Sequence, residues 1–116
     1  MLTENQVQQF RLLQTTIDSL DQALNSTRFD QSEINQKIRS LQKFFREEIQ
    51  PIQSDEYQTH SVLVEINKQM RLLTIDGTFL QTARQAETIE NRAGQIRDRI
   101  KLLTNYCAVI LGTRTD

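Results

Sequence analysis

The 116-residue sequence predicts an all-α protein, an antiparallel up-down-up-down four-helix bundle with a long third helix. Three observations carry that prediction. Apolar residues recur at steps of three and four in four separate segments, which places each set on one face of a helix. The chain holds only one Pro and three Gly, so little interrupts those helices. The connections between segments are short, which makes consecutive helices antiparallel neighbours. Four one-faced helices must bury those faces against one another, in a single domain covering residues 1–116.

The first helix is expected over about residues 3–25. Thr3 and Gln6 form a capping-box pattern, and the stripe reads Val7, Phe10, Leu13, Ile17, Leu20, Leu24. The turn formers Asn25, Ser26 and Thr27 break it. Asp30 and Glu33 favour a helix start at the positive end of the second helix, about 30–50, with the stripe Ile34, Ile38, Leu41, Phe45, Ile49. Pro51 lacks an N–H and pushes Gln50 away from helix, so the second helix ends or kinks there.

Ser54, followed by Asp55 and Glu56, reads as the cap of a third helix, the longest, over about 54–85. Its stripe is Leu63, Ile66, Met70, Leu73, Gly77, Leu80. A helical Gly costs about 1 kcal/mol relative to Ala, so Gly77 needs a reason. A close approach by a neighbouring helix competes with a kink, and the unbroken phase from Leu73 to Leu80 favours close approach. Folding the last two helices together sets Gly77 toward Ile96. Thr88 reads as the cap of the fourth helix, about 88–111, with the stripe Ile89, Ala93, Ile96, Ile100, Leu103, Cys107, Ile110 and Gly112 as C-cap.

Composition narrows function mostly by exclusion. The formal net charge is −1 with acids and bases interspersed, so no basic field attracts nucleic acid. No apolar run is long enough for membrane insertion, and the N-terminus predicts no signal peptide. The single cysteine, Cys107, cannot form an internal disulfide and sits in a stripe, which fits a small buried group and a reducing cytoplasm. Thr113 to Asp116 read as a disordered end. His60 has no Glu-x-x-His partner, and no Gly-rich phosphate loop, CxxC or HExxH is present, so no metal, cofactor or catalytic residue is expected. Arg11, Ile17, Leu20, Asp21, Arg28 and Arg39 resemble the opening of all-helical chorismate mutases. The Gly-x-x-Lys step and the basic, proline-containing segment that complete such a site are missing.

The densest specific cluster lies on the last two helices. Leu72, Ile75, Phe79 and Leu102 exceed what one buried stripe requires. Arg71, Gln81, Arg84, Arg92 and Arg99 are the candidate protein-contact residues, from their chemistry and placement. Some of them have an alternative role, holding helices together through Asp76 or Asp98. A generic helical scaffold with some other partner, or a homodimer, is compatible with the same pattern.

The segments KQMRLLTIDGTFLQTARQ and QIRDRIKLLTNYCAVIL resemble the small cyanobacterial PatD-like proteins, the heterocyst frequency control family, over roughly residues 63–111. That resemblance implies a non-enzymatic cytoplasmic regulator of cell division and differentiation. Its partner would be the tubulin-like division protein FtsZ, whose polymer assembly it would modulate. The resemblance carries no residue-level binding motif.

Overall fold

Thr3 and Gln6 open the first helix as a reciprocal pair. The Gln6 amide donates to Thr3 Oγ1 at 3.1 Å, and the Thr3 amide donates to Gln6 Oε1 at 2.9 Å. In the computed structural model, which describes residues 2–112, helix α1 spans Glu4–Leu24. Asp30 caps α2 by accepting from the amides of Ser32 and Glu33. Helix α2 spans Gln31–Phe44 and runs on as a π turn over Phe45–Ile49. Helix α3 spans Tyr57–Thr82 and α4 spans Ala86–Leu111. Gly112 ends α4 in the left-handed conformation, at φ 68°. The expectation for Thr113 to Asp116 lies outside the described residues.

The architecture is the expected all-α bundle. Each helix packs against its neighbours in the chain, and α4 closes the ring against α1. Two 26-residue helices of about 39 Å each account for most of the 46 Å long axis. The interior is filled by the predicted stripes. From α1, Phe10, Leu13, Ile17, Leu20 and Leu24 are buried; from α2, Ile34, Ile38, Leu41, Phe45 and Ile49. Helices α3 and α4 add Ile66, Met70, Leu73 and Leu80, then Ala93, Ile96, Ile100, Leu103 and Cys107. Val7, Leu63, Ile89 and Ile110, at the stripe ends, are only partly buried.

Two helix starts differ from the sequence reading. Ser54 does not cap α3: its hydroxyl accepts from the Glu56 amide at 3.1 Å, closing a tight turn instead. The first helical bond runs from His60 N to Glu56 O, so α3 begins at Tyr57 and is no longer than α4. Thr88 is likewise not a cap. Gln85 holds that position, and Ile89 N donates to its carbonyl at 2.9 Å. Glu87 falls in the first turn, where a carboxylate suits the positive helix end.

The stripe of α2 would keep Ile49 on the core side even in a continuous α-helix, since at about 100° per residue it falls about 20° from Ile38. The observed end is a π turn, with Gln50 N donating to Phe45 O at 2.8 Å, and Ile49 is fully buried. Pro51 follows, where no further helical N–H is available.

Gly77 marks a close approach, and the neighbour is α2 rather than the Ile96 region of α4. A Cβ at Gly77 would lie 2.8 Å from both Asn35 Oδ1 and Ile38 Cδ1. No helix among the described residues is long and apolar enough to cross a membrane.

A candidate protein-interaction face on α3 and α4

The outward side of α3 is built from residues that the core-facing stripe does not use. Helical spacing turns Lys68, Arg71, Leu72, Ile75 and Phe79 away from Met70, Leu73 and Leu80. Ile75 is 51% exposed and Phe79 48% exposed. Leu102, on α4, is 36% exposed. Lys68, Arg71, Leu72 and Ile75 together form a shallow depression of about 340 Å³. Large apolar side chains left in water beside arginines are the composition of a contact surface.

Asp76 anchors the inner edge of this face. It is buried, and Arg99 Nε donates to its Oδ2 at 3.2 Å from across the α3–α4 seam. Arg99 Nη1 donates to Gln69 Oε1 at 3.4 Å, so one guanidinium serves two buried polar residues of α3. Arg92 Nη1 reaches Asp76 Oδ1 at 4.0 Å, and its guanidinium lies 4.5 Å from the Phe79 ring centre. Arg92 therefore holds Phe79 by a cation–π contact while the ring stays half exposed.

The five candidate residues do not gather at one point. Arg92 and Arg99 meet at Asp76, so their first role is to tie α3 to α4. Arg71 is exposed on the outer face with Ile75. Gln81 faces α2: it accepts from Asn35 Nδ2 and donates from Nε2 to Ser32 Oγ at 3.3 Å. Arg84 is exposed in the α3–α4 connection and lines an open groove of about 940 Å³ with Arg28, Asp30 and Gln31. Asp98, the alternative partner for these arginines, stays exposed. Arg97 pairs with Glu90 at 3.4 Å and reaches Asn25 Oδ1 at 3.2 Å, joining α4 to the α1–α2 turn.

Three polar residues with structural roles escaped the sequence reading. Asn35 is buried between α2 and α3, and its Oδ1, facing Gly77, has no hydrogen-bond partner among the described residues. Gln69 is buried under Arg99. Gln31 Nε2 donates to the carbonyls of Leu80 at 2.6 Å and Ala83 at 2.8 Å, satisfying the C-terminal end of α3 from the start of α2. The available signal was Asn35 flanking Ile34 and Ile38, at the level where Gly77 makes room.

Arg11, Arg28 and Arg39, the cations of the chorismate mutase resemblance, are all exposed. The inward positions beside them are the apolar Phe10, Leu13 and Ile38, so these cations do not line an interior site. Cys107 is buried, and that burial, with a smaller contribution from Asp18, pushes its thiol up to about 12. His60 is exposed, and no group of three or more His, Cys, Asp or Glu is gathered as a metal site among the described residues.

No curated protein and no solved structure matches the chain. One family model does, that of the CRR41 C-terminal domain, over residues 8–105, from the first turns of α1 into the last turns of α4. Because that match takes in all four helices, the chain belongs to the CRR41 C-terminal domain family.

Proposed function

We propose that this chain is a non-catalytic helical adaptor that binds a protein partner through the outer face of α3 and the adjoining edge of α4. The observation that carries the reading is the joint exposure of Ile75, Phe79 and Leu102 on the two helices that Asp76 and Arg99 lock together. A locked pair presents those side chains at low ordering cost.

FtsZ is the proposed partner, in the cytoplasm, with an influence on heterocyst differentiation following from altered FtsZ assembly. The support is the resemblance of residues 63–111 to PatD-like proteins, which falls on the same two helices. A protein that binds filament better than free subunit shifts assembly toward filament by mass action, and the reverse preference shifts it back. The test is sedimentation of purified FtsZ with GTP, with and without this protein. A changed pelleted fraction supports the reading. An unchanged fraction, with no retention of FtsZ on the immobilised protein, rejects it.

A second reading keeps the face and changes the partner. It is favoured by the family match, which runs over residues 8–105 rather than the C-terminal half alone. Affinity purification with wild type and Ile75→Glu in parallel separates the two. A single partner other than FtsZ, lost with the variant, selects the second reading.

A further inference from the structure

We infer that the occupant of the α3 face is an acidic amphipathic helix, which lays its apolar side on Leu72, Ile75 and Phe79 and its carboxylates against Lys68, Arg71 and Arg92. The inference rests on the reading of this face as a protein-contact surface and gives the contact its chemistry.

Shape comes first. Leu72, Ile75 and Phe79 follow one another at steps of three and four, a ridge about 10 Å long along the helix axis. Beside it lies the depression of about 340 Å³ between Lys68, Arg71, Leu72 and Ile75. An apolar row next to a hollow suits a helix that presents anchors at i, i+3 and i+7.

Charge then selects the partner. Lys68 and Arg71 are both exposed. Asp76, the acid nearest the ridge in sequence, is buried and answers two arginines, Arg99 at 3.2 Å and Arg92 at 4.0 Å. One carboxylate against two guanidiniums leaves the seam positive. Of the other acids of α3 and α4, Glu65 lies one turn before Lys68, Asp98 lies one turn from Leu102, Glu90 pairs with Arg97 at 3.4 Å, and Glu87 is in the first turn of α4. The whole chain is at −1, so this face departs from the average in sign. A second copy docked face to face would bring two surfaces of the same positive sign together, an arrangement that like charges oppose.

The test uses the full chain and two synthetic 18-residue helical peptides, with leucines at i, i+3, i+4 and i+7. One carries flanking glutamates and the other flanking lysines. Fluorescence anisotropy should show the glutamate peptide binding at least about tenfold tighter, with the gap shrinking at high salt. Lys68→Glu with Arg71→Glu, checked by circular dichroism for retained fold, should invert the order of the two peptides. Equal binding of both peptides overturns the inference. If neither binds while FtsZ or another partner is still retained through Ile75, the contact face stands and the acidic-helix assignment falls. If neither binds and nothing is retained, both fall. Uptake of the protein by phosphatidylglycerol vesicles, or a dimer in sedimentation velocity that Ile75→Glu dissolves, assigns the face to a lipid surface or a second copy and likewise overturns it.

Discussion

Arg99 of α4 and Asp76 of α3 face each other across the helix seam, with Nε 3.2 Å from Oδ2. The carboxylate is almost wholly buried, while the guanidinium keeps part of its surface in water. A buried charge without its partner is costly, although a well-packed apolar pair in the same place is often no worse than the ion pair. Arg99→Met should therefore destabilise the fold by about 1–3 kcal/mol, with Arg92 limiting the loss as the second cation. Asp76→Leu combined with Arg99→Met should cost less than the two single changes summed. Urea denaturation of the three variants reads this directly. Additive losses would show that the pair is not coupled.

Gly77 and Ile38 give a second coupled pair. Gly to Ala in a helix ordinarily gains about 1 kcal/mol. Here the new methyl would meet Ile38 Cδ1 and Asn35 Oδ1, each at 2.8 Å, and both side chains are buried. Gly77→Ala should lower stability by about 1–2 kcal/mol, and Ile38→Val, which removes Cδ1, should recover part of that loss. A Gly77→Ala protein with a raised denaturation midpoint would refute the close packing of α2 on α3.

Cys107 supplies a pH-dependent test. Burial raises its thiol from 9.0 to about 12. The unfolded chain releases this proton at lower pH than the folded one. The thiol's contribution is therefore intact below about pH 9 and is lost as pH rises toward 12. Native protein at pH 8 should resist a thiol reagent that labels it at once in denaturant. Rapid labelling of the folded chain would place Cys107 at the surface.

Buried faces and local caps were legible in the sequence, while contacts between helices were not. Phe10, Phe45, Leu73 and Ile100 announced their burial through periodicity, because a helix translates spacing directly into a face. The caps at Thr3, Asp30 and Gly112 were legible because each is a local pattern. Ser54 and Thr88 misled because several residues near a helix start can cap it, and backbone geometry decides among them. The π turn at Phe45 was hidden, since the stripe through Ile49 fits a continuous α-helix equally well. Asp76 and Asp98 could be named as acids that tie these arginines to a neighbouring helix, but that Arg92 and Arg99, 16 and 23 residues away, both choose Asp76 depended on how α4 packs on α3. Whether Gly77 met α2 or α4 also depended on how the hairpins pack.

The outer face should separate binding from stability. Ile75 is more than half exposed, so Ile75→Glu should change stability by no more than about 0.5 kcal/mol. Phe79→Ala removes the ring under Arg92 and should cost about 0.5–1 kcal/mol. Both should abolish partner retention in a pull-down while thermal unfolding stays cooperative. Retention by both variants at wild-type level would move the contact elsewhere.

The most direct measurement is co-sedimentation of purified FtsZ with GTP, run with wild type and Ile75→Glu side by side. If FtsZ docks on the α3 face, wild type enters the polymer pellet and alters the pelleted FtsZ, and the equally folded variant does neither. Wild type left in the supernatant with FtsZ assembly unchanged, or a variant as active as wild type, would contradict that docking.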